Sequence, residues 1–231
     1  MILGVLQARM SSTRLPGKVL APVLGVPMIG RQIERLRRAR RLDALVVATS
    51  DRDDDDELTR YCEGLELKVH RGSLDDVLDR VYRAAVGDGA AQTVVRLTAD
   101  CPLADWTVVD EVVDLQREGG FDYANNTSPE RTFPHGLDAE AMSLAALESA
   151  WREAADPYER EHVTPFLYRR PDRFRLGSLS RSPSLAHLRW TVDLPEDLAF
   201  VRYVYETLYP SNPAFTSADI LALPRNSSEA A

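Results

Sequence analysis

Little in this sequence supplies a covalent or metal framework. Cys62 and Cys101 are its two cysteines among 231 residues, and nothing spaces them for a zinc site or an evident disulfide. No stretch is apolar for long enough to span a bilayer, and the run Met1–Leu6 is too short for a signal peptide. A cytoplasmic protein is the expectation. Net positive charge is missing too: the formal charge is −8. That argues against nucleic acid as a general partner, because such binding runs on phosphate neutralisation. Two familiar phosphate-binding patterns are absent. G-x-G-x-x-G does not occur. The P-loop pattern fails around Gly17-Lys18, where Ser12 replaces its first glycine and Val19 its final Ser/Thr. No internal repeat is evident.

What is present is concentrated at the start. Met1–Leu6 reads as a short buried strand, and the run Gln7-Ala-Arg-Met-Ser-Ser-Thr-Arg-Leu-Pro-Gly-Lys18 follows at once. Two arginines, a lysine, three hydroxyls and a glycine leaving a strand make a phosphate-binding loop. Arg9, Arg14 and Lys18 supply charge, Pro16 stiffens the turn and Gly17 permits it. Leaning on side-chain cations rather than glycine backbone suits a ligand with several charges, such as a nucleoside triphosphate.

A composition 44% hydrophobic over this length buries one sizeable core. We expect a single domain over 1–224, with a nucleotide-binding half (1–120), an acceptor-binding and dimerising half (121–224) and a disordered tail (225–231). Strands at Leu45–Ala48, Leu67–His70 and Thr93–Leu97 alternate with helices through about Arg41, over Asp53–Glu63, from Ser73 as cap, and over Thr107–Arg117. That alternation predicts an α/β fold with an open, mostly parallel sheet and helices on both faces. In the helix ending near Arg41, Met28, Ile29, Ile33 and Leu36 share a face, so Arg31, Arg35, Arg37, Arg38, Arg40 and Arg41 are expected on the wet side. The second half reads as strands near Tyr123 and Leu137–Met142, helices at Leu144–Ala155 and Tyr158–Arg169, strands at Phe174–Leu179 and Leu188–Val192, and a helix at Glu196–Leu208.

Ligands of open α/β sheets collect at the carboxyl ends of strands. Asp100, after Thr93–Leu97, and Asp193, after Leu188–Val192, each place a carboxylate there with a proline close behind. Two carboxylates suit Mg²⁺, which keeps its remaining positions for water and phosphate. Helix capping is the competing role, most plausibly for Asp193.

The opening run resembles the signature of the cytidylyltransferases that make CMP-activated acidic sugars, the CMP-KDO synthetase group, and within it the spore coat polysaccharide biosynthesis protein F branch. Four further segments match in order: Arg71-Gly-Ser-Leu-Asp-Asp-Val-Leu-Asp-Arg80, Arg96-Leu-Thr-Ala-Asp-Cys-Pro-Leu103, Arg160-Glu-His-Val-Thr-Pro165 and Trp190-Thr-Val-Asp-Leu-Pro-Glu-Asp197. Together they span nearly the whole chain.

The resemblance implies the nucleotide-diphospho-sugar transferase fold. It also implies attack by a sugar hydroxyl on the α-phosphate of CTP, with Asp100 and Asp193 as Mg²⁺ ligands and Arg9, Arg14 and Lys18 on the outer phosphates. It places the cytosine against main chain at Leu6, Gln7 and Ala8 and against the Arg71–Arg80 segment, where Ser73, Asp76 and Arg80 are candidates; Ser12 completes the loop. An i,i+4 ion pair is the alternative for Asp76 and Arg80. For the acceptor, Arg131, His135, Asp138, Glu161 and His162 are the candidates, and a homodimer is the expected assembly. The KDO enzymes carry Gln-Gly-Asp-Glu-Pro where this chain has Thr98-Ala-Asp-Cys-Pro102, and Gly-Thr-Glu-Arg where it has Leu74-Asp-Asp-Val77. The acceptor therefore stays open among acidic sugars, phosphonates and polyol phosphates. A glycosyltransferase would use an Asp-x-Asp metal motif, which the run Asp53–Asp56 spells but the surroundings of Asp100 do not.

Overall fold

The computed structural model describes residues 1–87 and 89–224; the expected disordered tail lies outside them. The first strand, β1 (Ile2–Gln7), alternates Leu3 and Val5 to one face with Ile2 and Leu6 to the other. After the loop come a 3₁₀ turn (Lys18–Leu20), a small hairpin of β2 (Pro22–Val23) and β3 (Val26–Pro27), and α1 (Met28–Leu36). Next are β4 (Ala44–Ser50), α2 (Asp56–Gly64), β5 (Lys68–Gly72), α3 (Val77–Val86), β6 (Thr93–Thr98) and α4 (Trp106–Glu118). The second half holds β7 (Tyr123–Asn125), β8 (Glu140–Ser143), α5 (Leu144–Glu153), α6 (Pro157–His162), α7 (Pro165–Tyr168), β9 (Leu176–Ser178), α8 (Pro195–Leu208) and α9 (Ser217–Leu221).

Seven strands form one sheet in the order β5-β4-β1-β6-β8-β7-β9. All neighbours pair in parallel except β8, which runs antiparallel to both β6 and β7. Helices α1, α2 and α4 cover one face through Ile29, Ile33, Leu58, Val109 and Val112. Helices α3, α5 and α7 cover the other through Leu78, Val81, Leu147 and Phe166. The expected mostly parallel α/β sheet with helices on both faces is therefore the observed one. Each large β1 side chain buried between these layers contributes about 1.5–3 kcal/mol. No described helix is long and apolar enough to cross a membrane.

Three sequence expectations are corrected. Residues 188–192 are no strand: a single bridge joins Arg189 to His135, because Trp190 and Val192 spend their N–H groups on His135 and Asp100 rather than on a sheet edge. Arg31 and Arg35 are buried, not wet. Their guanidiniums lie over Tyr209 and Phe215, at 4.3 and 4.2 Å, so α1 docks the C-terminal helices through cation–π contacts. The expected helix over Tyr158–Arg169 breaks in two at Val163, whose φ of 71° lies in the left-handed region.

Candidate active site

The loop after β1 is folded by its own backbone and anchored from beneath. Ser12 and Gly17 both donate N–H to the Met10 carbonyl, at 2.9 and 3.0 Å. The Met10 N–H is held at 2.6 Å by Asp55, which also accepts the Ser50 N–H at 3.0 Å and the Ser50 hydroxyl. Gly17, at φ 72°, takes a conformation that costs other residues strain, and the turn it starts carries Lys18 inward. Lys18 Nζ donates to the Val192 carbonyl at 2.5 Å and to Asp193 Oδ1 at 3.0 Å. Arg14, more than half exposed, reaches the same oxygen at 2.9 Å, and Arg189 takes Oδ2 at 2.9 Å. Burial lifts the Asp193 carboxyl, but the hydrogen bonds from Lys18 and Arg189 outweigh it and hold it below the usual carboxylate range.

Asp100 follows β6 and is stitched to the same segment. Its carbonyl accepts the Val192 N–H at 2.7 Å and the Thr191 hydroxyl at 3.1 Å. On its other side the same segment packs against Gly136, where a Cβ would stand 2.6 Å from the Thr191 nitrogen. Neither acid caps a helix. Asp105 caps α4, and Asp197 accepts the N–H groups of Asp193 and Leu194 at the head of α8. The Asp100 carboxylate accepts from the Cys101 thiol at 3.4 Å. Gln7, Ala8, Arg9, Ser12, Arg14, Lys18, Asp100 and Asp193 thus share one cleft of about 220 Å³, joined by Thr13, Val19, Thr98 and Ala99. Leu6 lies wholly buried beneath. The Asp53–Asp56 run is spent elsewhere, with Asp55 under the loop and Asp56 paired to Arg71 at 2.6 Å. Among the described residues no group of three or more His, Cys, Asp or Glu is placed to hold a metal; the acidic residues lining this cleft are Asp100 and Asp193.

The three candidates from the Arg71–Arg80 segment stand outside that cleft. Arg80 is wholly buried; its Nη1 donates to the Ser73 carbonyl at 2.6 Å, while Nε and Nη2 have no partner. Burial, helped by Arg9, lowers its pKa. Asp76 does not form the i,i+4 pair with Arg80 but an ion pair with Arg160. Asp76, not Ser73, caps α3; the Ser73 hydroxyl accepts the Asp76 N–H at 3.1 Å in the turn before it. Arg80 therefore supports the 73–76 turn from below.

A second cleft of about 350 Å³ adjoins the first through Thr98, which lines both. Arg131, Asp138 and His162 line it; His135 and Glu161 do not. His135 is exposed, and its backbone is tied to Leu188 and Trp190. Glu161 points out from α6. Sequence reasoning missed Arg96, Thr127, Glu140, Tyr158, Thr164 and Tyr168. Arg96 and Thr164 stand inside matched segments, and Glu140, two residues past Asp138, opens β8. Arg131 grips Asp138 with both terminal nitrogens, at 2.5 and 2.9 Å. Glu140 pairs with Arg96 and accepts the hydroxyls of Tyr123 and Thr164, each at 2.6 Å. Burial first, and Glu140 beside it, push the Tyr123 hydroxyl well above its ordinary pKa, so it stays a donor.

Comparison with known proteins agrees with this architecture. A family model described as cytidylyltransferase matches residues 3–207. The spore coat polysaccharide biosynthesis protein SpsF of Bacillus subtilis is 30% identical, with 100% of this chain and 96% of that protein covered. A 3-deoxy-manno-octulosonate cytidylyltransferase of Syntrophobacter fumaroxidans is 36% identical over 72% of this chain and 73% of its own length. A solved cytidylyltransferase from Leptospira borgpetersenii superposes with a TM-score of 0.88 at 31% identity, covering 95% of this chain and 92% of that one. The chain belongs to the cytidylyltransferase family and is a CTP-dependent nucleotidyltransferase.

Proposed function

We propose that this protein transfers CMP from CTP to a hydroxyl of a sugar acid in the making of a surface polysaccharide or glycoconjugate, with pyrophosphate as the leaving product. The observation that carries this reading is the meeting of Lys18 and Arg14 with Asp193, and of that segment with Asp100, in a cleft continuous with a second one. The relatives named for 3-deoxy-manno-octulosonate and for spore coat polysaccharide support that choice of acceptor class.

In the reaction the acceptor oxygen bonds to the α-phosphorus as the bond from that phosphorus to the bridging oxygen breaks. Pyrophosphate leaves with the electron pair, and the hydroxyl proton is released. Positioning and charge stabilisation carry most of such a step. Arg9, exposed and without an ion pair among the described residues, joins Arg14 and Lys18 in drawing the β- and γ-phosphates into the cleft. Even at an effective dielectric near 20, one contact between a loop cation and a phosphate charge at about 4 Å contributes roughly 4 kcal/mol before desolvation.

A divalent cation fits the donor set. Asp100 keeps oxygen lone pairs uncommitted, and Asp193 frees one when exposed Arg14 turns from it to phosphate. Bound there, Mg²⁺ would polarise the α-phosphate and acidify the attacking hydroxyl. The test is pyrophosphate release from CTP and Mg²⁺ over a panel of sugar acids. Release with none of them, or consumption of a preformed nucleotide sugar instead, contradicts the proposal.

A further inference from the structure

Among the described residues, the basic side chains with no ion pair, no side-chain hydrogen bond and no ring contact are Arg9, Arg40 and Arg117. Acids outnumber bases in this chain by 36 to 28, so a cation left without a partner is an exception. Arg9 lines the loop cleft. Arg40 and Arg117, far apart in the chain, line one other cavity together, of about 370 Å³. It lies at the opposite end of the sheet. Ile2 and Thr93, the first residues of β1 and β6, line it, whereas Gln7 and Thr98, the last residues of the same strands, line the loop cleft. The length of β1, roughly 17 Å, separates the two.

The cationic wall is fixed before any ligand arrives. Asp110 accepts the Arg40 and Arg41 N–H groups at 3.0 and 2.9 Å, and Asp114 takes the Arg41 guanidinium at 2.7 and 2.9 Å. Asp110, Asp114 and Arg117 stand at i, i+4 and i+7 along α4, so the stripe that clamps the 40–41 turn also brings Arg117 beside it. Arg41 is thereby committed, and Arg40 and Arg117 are not. Two uncommitted guanidiniums on one cavity suit phosphate, whose oxygens match the guanidinium fork. The exposed Gln92 amide, which also lines the cavity, adds donors. Asp43 is the carboxylate in the lining, and it discriminates among anions. Its Oδ2 accepts the Ile2 N–H at 2.7 Å, while Oδ1 has no partner among the described residues. A fully deprotonated anion is repelled there. An anion that keeps a proton can donate it to Oδ1, which turns the repulsion into a charge-assisted hydrogen bond. Inorganic phosphate and pyrophosphate both keep a proton at neutral pH, and sulfate has none.

We propose that this cavity binds inorganic phosphate or pyrophosphate between Arg40 and Arg117, with the anion's proton donated to Asp43. The inference is independent of the cytidylyl-transfer reading, because none of these residues lines either cleft described above. The test is an NMR titration of the full chain, 15N-labelled, at pH 7 without divalent metal, using sodium phosphate, pyrophosphate and sulfate in turn. Amide signals of Ile2, Gln92 and Thr93 report this cavity; those of Gln7 and Thr98 report the loop cleft, so binding at one is not mistaken for binding at the other. Both phosphates are expected to shift the first group to saturation, with sulfate about tenfold weaker, the scale of one charge-assisted hydrogen bond. Tighter binding of pyrophosphate names it as the occupant and has each guanidinium on its own phosphoryl group; tighter binding of phosphate has both guanidiniums share one. Arg40→Gln combined with Arg117→Gln should weaken binding about tenfold or more and leave the response of Gln7 and Thr98 unchanged. Asp43→Asn keeps an acceptor for the Ile2 N–H and should bring sulfate level with phosphate. Signals of Ile2, Gln92 and Thr93 that neither phosphate moves overturn the proposal. So does sulfate binding the parent as tightly as phosphate, and so does undiminished binding in the double variant. Should Asp43→Asn fold poorly, the sulfate comparison on the parent decides the part its carboxylate plays.

Discussion

Asp76 and Arg160 join the two halves of the molecule. The Arg160 Nε donates to one Asp76 oxygen at 3.0 Å, a terminal nitrogen takes the other, and the remaining nitrogen donates to the Trp151 carbonyl at 2.8 Å. Asp76 caps α3 at the end of the 73–76 turn, and Arg160 sits in α6 between Tyr158 and His162, which line the second cleft. Two matched sequence segments, far apart in the chain, are thus one structural unit.

A double-mutant cycle measures that unit. Asp76→Asn and Arg160→Gln should each lower stability to urea, and the pair together by less than the sum, leaving a coupling of about 1 kcal/mol. The estimate is modest because both side chains are partly exposed. Strict additivity would mean that the pair is incidental.

Lys18 is buried, unlike Arg9 and Arg14, and its position is set by Val192 and Asp193. Lys18→Met should weaken CTP binding about 10- to 100-fold, the scale of one lost charge-assisted hydrogen bond. Acceptor binding should fall far less. Calorimetry with each ligand separately checks the difference, and equal losses would place Lys18 outside the phosphate site.

Asp100→Asn isolates the chemistry from the fold. Its carboxylate meets the Cys101 thiol at 3.4 Å, whereas the backbone carbonyl does the stitching to Thr191 and Val192. The amide should therefore leave the melting temperature within about 2 °C, since a half-buried, near-isosteric change that breaks only a weak thiol contact is worth about 0.5 kcal/mol. Pyrophosphate release should drop at least about 100-fold, the loss expected of a group acting on the transition state. Near-normal turnover would remove Asp100 from the reaction.

The strand–helix alternation of the first half was legible because the central strands β1, β4 and β6 carry apolar cores buried on both faces and each helix keeps a 3.6-residue stripe. The loop from Gln7 to Lys18 was legible because its chemistry is local. Residues 188–192 were misread as a strand because an apolar run packed on a loop has the same pattern as one in a sheet. The buried state of Arg31 and Arg35 depends on Tyr205, Tyr209 and Phe215, far along the chain, which helical periodicity cannot register. The second cleft was half legible: Arg131 and Asp138 stand in a loop where polar residues are conspicuous, but Arg96 and Glu140 lie on strands where an isolated charge reads as an exception.

The two thiols should be silent in the native state. Burial pushes Cys62 up to about 12, and burial with the nearby Asp100 carboxylate raises Cys101 well above its ordinary value. At pH 8 neither presents thiolate to a disulfide reagent. Ellman titration should find no reactive group in buffer and two in denaturant. A fast native reaction at either would show that its surroundings open.

Acid should expose how much the cationic clasp on Asp193 contributes. Asp193 and Asp197 are both held below their usual range: burial raises each, and hydrogen bonds from Lys18 and Arg189 to Asp193, and from Arg189 and two backbone N–H groups to Asp197, outweigh it. A carboxyl depressed in the folded state adds stability above its unfolded pKa, about 3.9, and loses it as pH falls through the folded value. Arg189→Gln removes part of that depression at both acids. The variant should be less stable than the parent by about 1 kcal/mol at pH 7 and low salt, discounted because Arg189 is 42% exposed. Below pH 4 the gap should close as the parent's carboxylates take up protons, and it should narrow in 1 M salt at any pH. Urea unfolding of both proteins at pH 7, 5, 4 and 3 reads the difference directly. A gap that stays constant down to pH 3 would mean that Arg189 contributes through packing, and that its pairing with Asp193 adds nothing to the fold.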